Sequence, residues 1–344
     1  MQREITTPGP LLDKHGRLCV AGYSKKPMLE YDRNAVKAGK LRIKEWDYYL
    51  VCNDHYAVAL TVSDNGYMGF VSASLLDFDA VSQHTASVTT LMPRGGFGMP
   101  KSSLVGDVSF TNERCSVSFQ ITAEGRHLQC EFKDFKDGKP LLADILLTDE
   151  PEDSMNIAIP FERARRAFYF NRKVNCMRAS GKAEFDGRVY EFTPDTSFGL
   201  LDWGRGVWTY KNTWYWSSMS GLVKGVPFGF NLGYGFGDTS AATENMLFYD
   251  GKAHKLEGVV FNIPKDSQRH HDYLKSWVIG TNDGRLNMTF MPILDRAAKI
   301  NALVLCSDQH QVFGRFSGTA KLDDGTEIKF KDMIGFAEKV SNRW

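Results

Sequence analysis

Net charge is nearly absent from this sequence. Its 344 residues carry 42 Lys and Arg against 41 Asp and Glu, a balance of +1. Nucleic acids and anionic membranes are met by a surplus of basic side chains, so the composition offers no footing for either partner. Long apolar runs are absent too. YAVALTV (56–62) is strand length, far below the roughly 20 residues of a membrane helix, and no membrane span is expected. The start, MQREITTPGPLLDKHGR, lacks a basic segment followed by an apolar one, so no secretory leader is expected and the expected location is cytoplasmic.

Metal and cofactor motifs are also missing. Cysteines stand at 19, 52, 115, 130, 176 and 306, with no C-x-x-C pair and no histidine at ligand spacing. Scattered in this way they read as small buried hydrophobes. H-x-H and H-E-x-x-H do not occur, and no metal site is expected. GYGFGD (233–238) alternates glycines without a following G-K-[ST], which fits close backbone approach better than a phosphate loop. There is no G-x-S-x-G elbow. The expectation is a protein that uses no cofactor.

Aromatics and turn signals are plentiful. Aromatic residues make up 12%, with 7 Trp, 13 Tyr and 23 Phe. Six Asx-Gly dipeptides occur, at 65–66, 137–138, 186–187, 250–251, 283–284 and 324–325. Asx-Gly is a strong hairpin signal because type I′ turns require positive φ at both central residues. In CSVSFQITA (115–123) apolar and polar residues alternate with the period of a half-buried strand. Helix signals are few: NAVKAGKLRIKEW (34–46) and PFERARRAFYF (160–170) are the candidate short helices. The expected fold is mostly antiparallel β, a sandwich or a barrel.

Two stretches recur in order. SGKAEFDGRVYEF (180–192) matches SGTAKLDDGTEIKF (317–330), and each is followed by Gly, an acid and Trp at equal spacing: Gly199, Asp202 and Trp208, then Gly335, Glu338 and Trp344. EWDYYLV (45–51) is likewise similar to TWYWSSM (213–219). This predicts a duplicated β unit: an N-terminal extension over 1–45 packing on the first unit, a first unit over 46–208 and a second over 209–344. Asp202 and Glu338 then hold equivalent places.

The blocks DWGRGVWTYKNTWYWSSMSG (202–221), GFNLGYGFGD (229–238), TENMLFYDGK (243–252), NDGRLNMTFMP (282–292) and HQVFGRFSG (310–318) resemble the DUF2804 family. That family is similar to tandem lipocalin-like proteins of the carotenoid hydratase and tocopherol cyclase type. The resemblance implies two lipocalin-like barrels or half-barrels packed together, with an apolar ligand held in or between them. It also implies hydration, cyclisation or isomerisation without a cofactor, an argument by analogy of fold.

Read on their own chemistry, several residues are candidates. Asp202, hemmed by Trp203 and Trp208, is a carboxylate in a poorly hydrated setting that raises its pKa, while Arg205 would lower it. It is either a proton donor or half of a salt bridge closing the units, and Glu338 is read as its structural equivalent. Glu244 with Asn245, before Met-Leu-Phe-Tyr, is an acid or base with a hydrogen-bonding neighbour, or an acid at a loop edge. His310, flanked by Gln309 and Gln311, suits proton transfer near neutral pH or a structural role. Trp214 and Trp216 should share one strand face and Tyr215 the other. They line a cavity, face a developing cation, or fill the core between units. The candidate set is therefore Asp202, Glu244 and His310 for catalysis, and Arg205, Trp214, Tyr215, Trp216, Asn245 and Gln311 for a small apolar or aromatic ligand. A lipid-like carrier and a carbohydrate-active enzyme with paired carboxylates are the competing readings.

Overall fold

A computed structural model describes residues 2–302 and 305–343. Strands dominate, and they form two large antiparallel sheets. The first runs, in spatial order, Ser82–Leu91, Met68–Asp77, Tyr56–Asp64, Ile43–Cys52, Phe198–Val207, Phe168–Phe185, Lys139–Thr148, Arg126–Lys136, Cys115–Ile121 and Val108–Thr111. The second runs Lys252–Lys255, Met246–Tyr249, Val226–Tyr234, Lys211–Val223, Glu327–Arg343, Leu305–Lys321, Leu286–Ala302, Trp277–Thr281 and Val259–Asn262. The plan is the same in both: the first long strand pairs with the last, and hairpins run outward on either side. Each sheet curls into a half-barrel, the arrangement of tandem lipocalin-like units. Among the described residues no helix is long and apolar enough to cross a membrane.

The six Asx-Gly pairs all lie in turns between paired neighbouring strands. Asp137, Asp186 and Asp250 have positive φ together with their glycines, as a type I′ turn requires. At the other three only the glycine does, and the loops are longer. The two candidate helices do not form. Residues 34–46 hold the end of one 3-10 turn, Arg33–Ala35, and the whole of a second, Lys40–Arg42, before the strand that starts at Ile43. Residues 161–167 are turns between two strands. In both places strand pairing with the core sheet outweighs a weak local helix preference.

Period-two alternation gives the long strands two buried faces. In Ile43–Cys52, Tyr49 and Val51 point into the first half-barrel, which is filled with side chains. Tyr48, Leu50 and Cys52 point out of it and meet Trp216, Leu294, Phe313, Ile334 and Phe336 on the outer face of the second. Phe78 and Phe313 stack across this joint at 5.7 Å. Burial on both sides explains why apolar residues stand at successive positions in YYLVC (48–52) instead of alternating with polar ones. A bulge at Val174–Met177 adds polar ties: Asn175 Nδ2 donates to Ser218 Oγ (2.7 Å) and to the Phe230 carbonyl (3.2 Å).

The repeat appears in the register. Asp202 lies opposite Tyr48, the sixth residue of its sheet's first long strand, and Glu338 lies opposite Trp216, the sixth residue of the other. Trp344 lies outside the described residues. The N-terminal segment touches both units. Tyr23 and Tyr31 join the first core, while the Arg3 N–H donates to the Ala241 carbonyl and Gln2 Oε1 accepts from the Thr243 N–H.

Candidate active site

The two sheets meet by their outer faces, through Tyr48, Leu50, Trp216, Phe313 and Phe336. At one end the faces separate, leaving a cleft of about 700 Å³ between the units rather than within either one. Trp46, Tyr169, Trp208, Trp214, Trp216 and Phe236 form its aromatic walls. Thr61, Ser63, Ser72, Ser87 and Thr89 supply a hydroxyl-bearing side from the first sheet.

Lys173 sits at the base. It lies directly across from Asp202 in the ladder, and its Nζ is 3.0 Å from Asp202 Oδ2. The same ammonium is 3.9 Å from Glu244 Oε2 and 3.6 Å from the centre of the Trp216 ring. Asn171, two residues earlier on the same face, donates to Asp202 Oδ1 at 2.6 Å. Asn231 Nδ2 donates to Glu244 Oε2 (3.3 Å), and Trp216 Nε1 donates to Asn231 Oδ1 (2.7 Å). Burial raises the Glu244 pKa, and Lys173 opposes that shift.

Glu338 lines the same cleft from the second unit. Trp214 Nε1 donates to one carboxyl oxygen and Gln311 Nε2 to the other, each at 2.9 Å. Even so, burial pushes its pKa up to about 7, because the nearest cations, Lys173 and Arg296, do not pair with it directly. An acid so placed exchanges a proton close to neutral pH.

The cleft gathers Asp202, Glu244, Glu338, Gln311, Trp214 and Trp216, and leaves out four of the expected residues. Arg205 does not adjoin Asp202. Its odd position turns it to the opposite face, where it is 0% exposed and pairs with Asp47 Oδ1 at 2.9 Å. Tyr215 also faces away and stacks on Tyr234 at 4.4 Å. Asn245 holds backbone, accepting from the Gly233 N–H and donating to the Glu257 carbonyl. His310 pairs with Asp295 at 2.6 Å and stacks on Tyr273 at 3.9 Å, turned from the cleft by the parity that turns Gln309 and Gln311 toward it.

Lys173 and Tyr48 escape a reading of local motifs. The available signal is NRKVN (171–175), polar residues at every second place in an aromatic strand, which marks a face that is buried yet not core.

Gly233 makes room for the acid. A methyl group there would overlap the Glu244 carboxyl group. Gly233→Ala is expected to move Glu244 away from Lys173 and to lower stability by about 1–3 kcal/mol, read by urea denaturation.

Two half-barrels joined by their outer faces over a shared cleft define a tandem lipocalin-like protein. The chain belongs to the DUF2804 family, a domain of unknown function, whose profile matches residues 2–344. Among solved structures, a Nitrosomonas europaea protein provisionally described as AttH aligns with a TM-score of 0.54 at 12% identity, over 90% of this chain and 96% of that one. Kievitone hydratase from Nectria haematococca aligns with a TM-score of 0.48 at 12% identity, over 88% of both chains. CghA aligns at 0.40 and 9% identity, over 88% of this chain and 87% of that one. The first supports the fold alone, and the other two are too distant to carry an argument. No curated protein matches the chain in sequence.

Proposed function

We propose that the cleft is the active site of an acid–base enzyme that hydrates, cyclises or isomerises a small, largely apolar molecule without consuming a cofactor. The observation that carries this reading is the floor of the cleft. Two carboxylates, Asp202 and Glu244, flank Lys173, while a third acid, Glu338, holds its proton near neutral pH against aromatic walls.

In this reading Glu338 donates its proton to a double bond or an epoxide oxygen of the substrate. The faces of Trp214 and Trp216, with the carboxylates beyond, stabilise the positive charge that develops. Water or a nucleophile within the substrate then adds, or a neighbouring carbon gives up a proton. The proton released returns to a carboxylate of the cleft, and from there to Glu338. The sum is one water added or none, with no electron gained or lost.

The test begins with the small molecule that co-purifies with Glu338→Gln, identified by native mass spectrometry and extraction. Incubated with the wild-type protein, it is expected to give a product heavier by one water or of unchanged mass and altered retention. Turnover should fall at least about 1,000-fold in Glu338→Gln and decline as pH rises through about 7. A ligand returned unchanged by the wild-type protein would make this a carrier.

A further inference from the structure

Two facing rows of side chains run through the cleft, one on each sheet. On the second sheet Trp216, Glu338, Gln311 and Arg296 lie opposite one another on four successive strands. On the first, Lys173, Asp202, Tyr48, Thr61, Ser72 and Ser87 do the same on six. All of them line the cleft. At one end the rows hold charge and an aromatic ring, where Lys173 meets Trp216. At the other they hold hydroxyls and a single cation. There Arg296 Nη1 donates to Ser74 Oγ at 2.8 Å, and Ser74, two residues from Ser72 on the same face, is tied to Thr85 at 2.8 Å.

The two cations of these rows differ in what they already hold. Lys173 is taken up by Asp202 and Glu244. Arg296 is half-buried and has no carboxylate partner among the described residues. Its Nε and Nη2 make no hydrogen bond and are not sealed from the cleft. Those two nitrogens form the side of a guanidinium whose parallel N–H bonds take a carboxylate with two hydrogen bonds. Past Phe290 the Arg296 strand has a neighbour on one side only, so the guanidinium stands at the rim, where a charged group keeps part of its water. With Glu338 protonated, Lys173 and Arg296 balance Asp202 and Glu244. One more negative charge is then tolerated, and the two charges of a phosphate monoester are disfavoured.

We propose that the substrate is a monocarboxylic acid whose carboxylate binds the free side of Arg296 and whose apolar body lies along the cleft toward Glu338 and Trp216. This rests on the cleft being the reaction site and names the class of molecule it takes. Arg296 is two strands from Glu338, so the bond that Glu338 protonates lies about 10 Å from the carboxylate. The pairing also serves the acid. Arg296 is one of the cations that pull at the Glu338 proton, and a carboxylate seated on it cancels that pull.

Calorimetry with 4-phenylbutanoate, 4-phenylbutanamide and 4-phenylbutyl phosphate tests the assignment without any turnover. The wild-type protein is expected to bind the carboxylate about tenfold more tightly than the amide or the phosphate. In Arg296→Gln the carboxylate and the amide should bind within about threefold of each other, with the amide affinity as in wild type, which also reports an intact cleft. Arg296→Lys keeps the charge and loses the paired N–H groups, and it should retain only about a threefold preference. Equal affinity for carboxylate and amide, a phosphate bound as tightly as the carboxylate, no binding of the carboxylate, or a full tenfold preference in either variant would overturn the carboxylate site. The acid–base reading stands or falls separately, on turnover by Glu338→Gln.

Discussion

Lys173→Met is expected to destabilise the protein by about 3–5 kcal/mol, the largest effect of any single change at the cleft. The side chain lengths are similar, so packing changes little. What changes is charge. Lys173 is 3% exposed and answers Asp202 at 3.0 Å and Glu244 at 3.9 Å. Without it two carboxylates remain buried side by side, and each must protonate or draw in water. Adding Asp202→Asn should recover more than half of the loss, since one uncompensated charge is gone and Asn171 still has a hydrogen-bonding neighbour. Removing His55 from the exposed pair with Asp79 serves as a control and should not shift the midpoint measurably. Urea denaturation followed by tryptophan fluorescence reads all of these. A Lys173→Met protein as stable as wild type would show that the lysine does not hold these acids in place.

The second large effect is on the pH dependence of stability. Glu338 has its pKa raised from an ordinary 4.5 to about 7. Between those values the folded protein keeps a proton that the unfolded chain has already released. Stability therefore falls as pH rises across that window, by about 3 kcal/mol in full, and is highest below it. Glu338→Gln should remove this slope. Its amide can still accept from Trp214, and a turn of the Gln311 amide would give its Nε2 an acceptor. Relative to wild type the variant should gain about 3 kcal/mol at pH 8 and lose that advantage at pH 4.5. Lys44 and Lys255, both pushed down to about 7 by burial, act with the opposite sign and above that window, adding stability as pH rises from about 7 toward 10.5. The difference between wild type and Glu338→Gln cancels them. A flat difference curve from pH 4.5 to 8 would contradict a protonated Glu338.

Much of the architecture is visible in the amino acids themselves. The Asx-Gly turns mark hairpins because few other residue pairs accept positive φ. The alternation in 115–123 marks a strand with one dry face, as the structure has it. The repeated hairpins at 180–192 and 317–330, each followed by Gly and an acid at equal spacing, place Asp202 and Glu338 on the last long strand of each sheet. The opposite orientations of Trp214 and Trp216 against Tyr215 follow from period two alone.

What parity cannot supply is which face is which. Arg205 and Asp202 are three residues apart and look like partners, yet an odd spacing in a strand sends them to opposite sides. Gln311 and His310 are adjacent, and only one of them reaches the cleft. Lys173 meets Asp202 only because their two strands pair in one register, and both meet Glu244 and Glu338 only because the sheets pack outer face to outer face. Turns and strand periodicity are local, set by each residue's own backbone and side chain, and the chain carries them in its order. The cleft and its trapped charges arise where the surfaces of two sheets meet, and that choice of surface is made by the summed burial of side chains distant in sequence.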